Sequence, residues 1–397
     1  MEDTTQQADG PLTDVLVVDL TRALAGPQAA MMLGDLGARV IKVESPTGDD
    51  TRAWGPPWAG DADGETGRGR DSTYFMAANR NKESIVLDLK EADDLDLLTQ
   101  LLRRADVLLE NFRIGVLDRI GLTEEGLHAI NPRLVIGRIT GFGHDGPEAH
   151  RAGYDQIAQG EGGLMSVTGV DLPTKVGVPV ADLAAGMNLA YGVVAALYER
   201  ERTGRGRVVR TSLLASVVGL HAFQGTRWTI AGEVPGLSGS HHPAIAPYGL
   251  FRTATAPVQV AVGSEGIWRS FAVAVGLDPD DVRFRTNRER VATGPELIEA
   301  IERIFATAPA EHWLDLLLAA GVPAGKVRSV DDVYDWAQTR SQGLLMELTH
   351  PTYGDLVVPG SPLRFDDQPH SGGRSRNDPP PLLDEHGAAL RAWLADQ

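Results

Sequence analysis

The sequence has 397 residues, of which 42% are apolar and 23% charged, with a net charge of −17 at pH 7 and no cysteine. A chain of this length exceeds the usual domain size of about 100–200 residues, so two domains are expected. The absence of cysteine excludes disulfides, thiolate metal sites and an acyl-cysteine intermediate. The acidic charge argues against nucleic-acid binding, which needs surplus Lys and Arg to contact phosphates.

The N-terminal segment and the apolar runs bear on location. The first residues, MEDTTQQADG, are polar and acidic and lack the basic and apolar segments of a secretory signal, which predicts a cytoplasmic protein. The longest apolar runs, such as 316–322, are shorter than the roughly 18 residues that a membrane-spanning helix needs. We therefore expect no membrane segment and no membrane partner.

The first half of the chain alternates strand and helix patterns. Short apolar runs predict strands at 14–20, 39–44, 84–89, 107–110 and 134–140, and helical patterns lie between them at 28–37 and 95–104. Strands separated by helices form parallel sheets covered on both faces. The pattern therefore predicts an α/β class, with a doubly wound large domain.

The second half begins with a long predicted helix at 182–202, closed by Gly204 and followed by a strand at 208–211. Glycine and proline become frequent after about residue 225. A strand pattern at 258–262 and helical patterns at 295–306 and 310–320 then indicate a smaller α+β domain at 226–330. The large domain comprises 1–225 and 331–397.

Several short motifs predict no site of their own. Residues 141–146 match GxGxxG, but Pro147 follows at once and leaves no helix N-terminus to hold a pyrophosphate. Residues 321–326 resemble a phosphate-binding loop that is one residue short, with Val327 where Ser or Thr is needed. The pair His241-His242 has no acidic partner nearby in the sequence, so no metal site is predicted.

Asp182 has two interpretations. It stands at the start of the long helix, where a carboxylate can cap the free backbone N–H groups, and where the helix dipole favours the anion. A carboxylate can also act as a nucleophile toward a thioester. Spacing alone leaves both interpretations open.

Basic residues also follow several predicted strands: Lys42, Arg80, Lys82, Arg113 and Arg119. Ligands of open α/β sheets bind beyond the strand ends, so these side chains could meet phosphate groups there. Solvated surface charge is the alternative for any one of them.

Many ordered stretches of the chain together resemble the family III CoA-transferases, the group of formyl-CoA transferase, carnitine CoA-transferase and α-methylacyl-CoA racemase. The matching stretches cover nearly the whole chain and include 20–27 (LTRALAGP), 34–57, 79–90, 105–122, 151–169, the Asp182 helix, 242–251, 319–327 and 379–386. The resemblance implies a large Rossmann-like domain built from both termini, a smaller middle domain and an interlocked homodimer.

The resemblance also implies a mechanism. Asp182 attacks an acyl-CoA thioester to give a mixed anhydride, which the released thiolate converts to an aspartyl-CoA thioester. The substrates are then an acyl-CoA and a small carboxylic acid, without a metal or a permanently bound cofactor. By matching position, Tyr154 faces the acyl group, and CoA contacts come from Leu24, Ala25, Lys42, Leu87, Asn111, Phe112 and Arg119.

Single positions and short runs of the sequence bear on which acids the resemblance implies as substrates. Formyl-CoA transferase has arginine and glutamine where this chain has Ser45 and Leu24, which argues against formyl-CoA and oxalate. The runs DDTRAWGPP and MELTHPTYGDLVVPG are most similar to the branch that uses succinyl-CoA with dicarboxylic acids such as glutarate. Arg22 and Arg52 are the candidates to bind the distal carboxylate.

Two alternatives remain at this stage. A racemase of the same family needs a histidine where this chain has Tyr154, whose pKa near 10 makes it a poor base at neutral pH. A catalytically silent CoA-binding protein of the same fold has no need of Asp182.

Overall fold

The computed structural model describes residues 10–60, 71–365 and 372–396. The chain divides into two compact units. One contains the N-terminal part up to 164, residues 176–226 and the C-terminal part from 336; the other contains 165–175 and 227–335. Residues 1–9, on which the prediction of a cytoplasmic location rests, lie outside the described residues.

The first unit is built on a six-stranded parallel sheet. Its strands are β1 (Leu16–Asp19), β2 (Arg39–Glu44), β3 (Lys82–Val86), β4 (Val107–Glu110), β5 (Val135–Thr140) and β6 (Val208–Ser212), in the order β3-β2-β1-β4-β5-β6. This is the order of doubly wound α/β sheets. The predicted α/β class is therefore confirmed.

Helices cover both faces of this sheet. The helices of this part of the chain are α1 (Ala25–Asp35), α2 (Thr73–Met76), α3 (Ala92–Arg104), α4 (Glu124–Ile130), α5 (Asp155–Glu161), α6 (Val180–Thr203), α7 (Leu213–Leu220) and α8 (Ala222–Ala231), the last of which continues into the second unit. Short 3-10 turns lie at Asp50–Ala53, Asp118–Ile120 and Leu164–Val167. Helices α1, α6 and α7 pack on one face, against Val17 and Val135, and helices α3 and α4 pack on the other, against Val18 and Ile136. Because neighbouring strand residues are buried on opposite faces, the central strands β1 (LVVD) and β4 (VLLE) are apolar over most of their length.

Helix α6 is long and apolar enough, by length and composition, to cross a membrane. Half of its most apolar window is buried inside the protein, where Ala185, Leu189 and Val193 belong to the core beside the sheet. It ends at Gly204, whose φ of 69° is the left-handed conformation that glycine adopts readily. A long helix of a globular domain can have this composition when its apolar residues pack into the core.

The second unit packs helices against an antiparallel sheet. The strands are β7 (Tyr248–Phe251), β8 (Val258–Ala261) and β9 (Ala324–Lys326), and the helices are α9 (Glu265–Val275), α10 (Asn287–Ala292), α11 (Gly294–Phe305), α12 (Ala310–Ala319) and α13 (Val330–Asp335). The core is aromatic, with Phe305 stacked on Trp313 at a centroid distance of 4.8 Å. His241 and His242 contact the rings of Phe251 and Tyr248.

The chain after 335 belongs to the first unit. It contains α14 (Ala337–Ser341), an antiparallel hairpin of β10 (Leu345–His350) and β11 (Gly354–Pro359), and α15 (Gly387–Ala395). Leu390 and Leu394 of α15 are buried in the same core as α3 and α4. The C-terminal helix thus completes one face of the sheet that the N-terminal half begins.

Candidate active site

A cavity of about 420 Å³ lies where strands β1, β4 and β5 end. Its walls come from the loops after these strands and from the starts of helices α1, α5 and α6; they include residues 22–25, 111–114, 139–141 and 149–154 together with Asp182. The carboxyl ends of parallel strands are where open α/β sheets bind ligands, because helix N-termini and adaptable loops converge there. We call this space the Asp182 cavity.

Asp182 is the third residue of α6, and its side chain does not cap the helix. The N-cap residue is Pro179, without a side-chain cap. Asp155, at the start of α5, caps the helix from outside: its Oδ1 accepts hydrogen bonds from the backbone N–H groups of Ala181 at 2.8 Å and Asp182 at 3.4 Å. The N-cap interpretation of Asp182 is therefore wrong, and its carboxylate is left to line the cavity.

The electrostatic surroundings of Asp182 favour its protonated form. Burial, with the negative charge of Asp155 as a second cause, raises the pKa of Asp182 to about 7. The helix dipole was expected to keep this carboxylate ionised, but burial and the like charge outweigh it. A carboxylate that is poorly solvated and poorly paired is a stronger nucleophile once ionised than one stabilised by ion pairs.

Tyr154 lines the cavity and follows Gly153, which is in close contact with Gly141 of another loop. It precedes α5 and is 65% exposed. A Cβ atom on Gly153 would lie only 2.6 Å from the Cα atom of Gly141, and one on Gly141 would lie 2.7 Å from Gly153. The glycine at the start of the GxGxxG match is thus needed for contact between two loops, rather than for a pyrophosphate.

A second cavity, of about 290 Å³, adjoins the ends of β1, β2 and β3. Its lining is largely apolar, with Leu20, Val43, Leu87, Leu89, Val116 and Ile120, and cationic side chains from Lys90 and Arg119. It shares Arg22, Phe112 and Arg119 with the Asp182 cavity. An apolar slot with cations suits a purine ring with attached phosphates. Lys90 was not singled out from the sequence, where a lysine after a strand is ordinary.

The predicted CoA contacts divide between these cavities. Leu24, Ala25, Asn111, Phe112 and Arg119 line the Asp182 cavity, and Leu87 lines the second. Lys42 also borders the second cavity, but its side chain is completely buried. Its Nζ donates to Asp49 Oδ2 at 2.9 Å and to the Thr21 carbonyl at 2.8 Å. The ammonium group is therefore engaged inside the domain.

The two arginine candidates differ in position. Arg22 lines both cavities, and its guanidinium lies 5.5 Å from the centre of the Phe112 ring. Arg52 is buried and makes two hydrogen bonds to Glu44, of 2.9 and 2.8 Å, and one of 3.0 Å to Asp71. The structure does not bring Arg52 to the Asp182 cavity. Glu44 ends β2, the position at which dinucleotide-binding enzymes use an acidic residue to bind a ribose. Here the Glu44 carboxylate is instead hydrogen-bonded to Arg52.

Arg52→Leu is expected to lower the free energy of unfolding by about 3 kcal/mol or more, because Glu44 and Asp71 are left as buried charges without their partner. Urea denaturation measures this change. Arg39→Leu is the matched control: its ion pair with Glu83 is exposed and should contribute less than about 1 kcal/mol. Unchanged stability of the Arg52 variant, combined with a raised KM for the acceptor acid, would instead make Arg52 a substrate ligand.

Comparison with known proteins identifies the family. The sequence profile of CoA-transferase family III matches residues 12–387. The chain belongs to this family. The family III chain is 38% identical to the acetyl-CoA:oxalate CoA-transferase of Acetobacter aceti, over 99% of this chain and 98% of that protein. It is 40% identical to the succinate–glutarate CoA-transferase of Agrobacterium fabrum, over 97% and 96%.

A solved structure agrees with the sequence relatives. A CaiB/BaiF family protein from Brucella suis is 39% identical, with a TM-score of 0.85 over 97% of this chain and 100% of that one. The predicted membership of family III and the CoA-transferase activity are thereby confirmed. The chain is an enzyme that transfers CoA.

Proposed function

We propose that this CoA-transferase moves CoA from succinyl-CoA to a second dicarboxylic acid through covalent intermediates on Asp182. The observation that carries the proposal is the position of Asp182: a carboxylate with raised pKa lines a cavity that shares its walls with an apolar slot suited to adenosine. Relatives that transfer CoA between succinate and glutarate support the choice of acids.

CoA is proposed to span both cavities. The adenine ring occupies the apolar slot, and its phosphates face Lys90 and Arg119. The pantetheine arm then passes Phe112 and brings the thioester to Asp182. Leu24 and Ala25 begin α1, a helix without a side-chain cap or an acidic residue in its first turn. Its N-terminal N–H groups are suited to stabilise an oxyanion that forms in this cavity.

The reaction proceeds in two matched halves. A carboxylate oxygen of Asp182 attacks the thioester carbonyl, the C–S bond breaks and the CoA thiolate leaves a mixed anhydride. The thiolate attacks the aspartyl carbonyl, which forms an aspartyl-CoA thioester and releases succinate. The acceptor carboxylate then displaces the thiolate to give a new anhydride. Attack of the thiolate on the acceptor acyl carbonyl yields the new acyl-CoA and restores Asp182.

Arg22 is the proposed ligand for the distal carboxylate of the acceptor. It lines the Asp182 cavity, and among the described residues its guanidinium forms no ion pair. A planar guanidinium binds a carboxylate through two parallel hydrogen bonds. Arg113 lines the same cavity and offers further positive charge for an anionic acceptor.

Mass spectrometry of the protein mixed with succinyl-CoA tests the proposal. We expect a CoA or succinyl adduct on the peptide that contains Asp182, and none on Asp182→Ala. Transfer to glutarate, oxalate and acetate then separates dicarboxylate acceptors from others. CoA binding without an adduct, for several acyl-CoA donors, would indicate a silent binding protein, and exchange of the α-proton of a branched acyl-CoA would indicate a racemase.

A homodimer is the proposed assembly. Met187, Tyr191, Val194 and Tyr198 recur on one face of α6 at spacings of four, three and four residues, and are exposed by 37–78%. This spacing is typical of a seam that packs against another helix, and a patch of large apolar side chains is costly in water. A second copy, interlocked as the resemblance implies, is proposed to cover it. Sedimentation should give twice the chain mass; a monomer at micromolar concentration would contradict the proposal.

A further inference from the structure

The turn at 21–23 connects β1 to α1, and side chains bind its backbone from several directions. The N–H of Thr21 donates to Asp19 Oδ1 at 2.9 Å, and its carbonyl accepts a hydrogen bond of 2.8 Å from Lys42 Nζ. Asp19 and Lys42 are both completely buried. The first residue of the turn is therefore held by two charged side chains that are completely buried.

Asn111 binds the middle residue of the turn at both ends. Its Oδ1 accepts from the N–H of Arg22 at 2.9 Å, and its Nδ2 donates to the carbonyl of Arg22 at 2.7 Å. The N–H of Ala23 donates to Asp49 Oδ1 at 3.3 Å, and Lys42 holds the other oxygen of Asp49 at 2.9 Å. Three N–H groups and two carbonyls in a row thus bind side chains.

Ala23 has a φ of 66°, in the left-handed region. Residues with a Cβ atom seldom adopt this conformation, because the Cβ crowds the following carbonyl. Such a conformation persists where the surroundings over-determine it, and this occurs most often at functional sites. Here the hydrogen bonds to the turn hold Ala23 in this conformation.

The turn fixes where α1 begins. Leu24 and Ala25 follow it directly and line the cavity with Asp182. The carbonyl of Ala25 would lie 2.6 Å from a Cβ atom on Gly186, so α1 closely approaches α6 one turn after Asp182. A shift of the turn therefore moves the start of α1 relative to the carboxylate.

We propose that Asn111, Lys42 and Asp49 are positioning residues for CoA transfer: they hold the 21–23 turn and thereby place the N-terminus of α1 beside the acyl carbonyl at Asp182. The inference rests on the proposed function for the identity of that carbonyl. It gives Lys42 and Asn111 a role different from the CoA contacts that the resemblance implies. Arg22, whose backbone is held, remains free to present its side chain to substrate.

Asn111→Ala separates the two roles. A positioning role predicts that kcat falls about 10-fold or more, since small misplacements of reacting groups are costly, while the Kd for CoA by calorimetry changes less than about 3-fold. A Kd raised about 10-fold with unchanged kcat would make Asn111 a CoA ligand and overturn the inference. Asn131→Ala is the matched control, because the Asn131 side chain likewise makes two hydrogen bonds to backbone groups, donating to the carbonyls of Leu102 and Ala105, away from the cavity.

A second measurement does not depend on activity. Amide hydrogen exchange in the peptide covering 20–28 should be faster in Asn111→Ala than in the wild type, because the turn loses two hydrogen bonds. Unchanged exchange would overturn the inference. If the wild type transfers no CoA but the exchange rises as expected, the proposed function fails and the held turn stands. The double variant Asn111→Ala/Asp49→Asn should lose less kcat than the product of the two fold-losses measured for the single variants, because both side chains act on one turn.

Discussion

Asp182→Asn should lower kcat at least about 10⁴-fold and yet raise the free energy of unfolding at pH 8 by about 2–4 kcal/mol. The loss of activity follows because an amide cannot form the anhydride. The gain in stability follows because burial and Asp155 disfavour the ionised carboxylate in the folded protein. Turnover with succinyl-CoA and urea denaturation measure the two effects.

The sign of the stability change depends on pH. The pKa of Asp182 is 3.8 in its ordinary environment and about 7 in the folded protein. Between these values the folded protein binds the extra proton, so the contribution of Asp182 to stability is lost as pH rises from about 4 to about 7. The advantage of the asparagine variant should therefore be small at pH 4 and complete at pH 8. For the same reason kcat/KM of the wild type should rise with pH through about 7.

Asp171→Asn, at an exposed position of the second unit, is the control and should change neither property. Equal stability of the wild type and Asp182→Asn at pH 8 would contradict the raised pKa. Retained activity of the variant would remove Asp182 from its proposed role. Because slow deamidation can restore aspartate, Asp182→Ala should accompany the asparagine variant.

Gly153→Ala is expected to lower kcat about 100-fold and the free energy of unfolding by about 2–3 kcal/mol. The new methyl group would lie 2.6 Å from the Cα atom of Gly141, and a backbone atom cannot turn aside as a flexible side chain can. One of the two loops must move. The loop that moves carries either Tyr154 and Asp155 or the wall at residues 139–141.

The control for this change is Gly294→Ala, since nothing lies within 4 Å of a Cβ atom on Gly294. It should leave kcat unchanged and alter stability by less than about 1 kcal/mol. Single-turnover formation of the aspartyl-CoA thioester measures the chemical step directly. Wild-type kinetics in Gly153→Ala would mean that the two loops separate without disturbing the site.

Local patterns were sufficient for the architecture of the first unit. The strands at 39–44 and 107–110 were predicted with their observed bounds, because a strand covered on both faces is a continuous apolar run. The long helix was predicted at 182–202 and lies at Val180–Thr203. The short helix α5 was missed, since Asp155–Glu161 carries too few apolar residues to show helical periodicity.

The resemblance singled out Asp182 as the candidate nucleophile, but the surroundings of Asp182 were not visible in the sequence. Burial is the main cause of the raised pKa of Asp182, and the second cause is Asp155, which also caps α6 and is 27 positions away. Nothing in the spacing of these two aspartates indicates that they meet. Similarly, no pattern reveals that Gly141 and Gly153 lie in contact.

By itself, the sequence determined the fold class of this protein and its family. The fold class follows from hydrophobic periodicity, which depends on residues close together in the chain. The family follows from motifs in the amino-acid sequence, so neither needs coordinates. Tertiary structure alone decided which charges are buried and what they meet: it encloses Lys42 and Arg52 and leaves Arg22 at the cavity. The reason is physical, because desolvation and Coulomb interactions depend on distances through space between residues far apart in the chain.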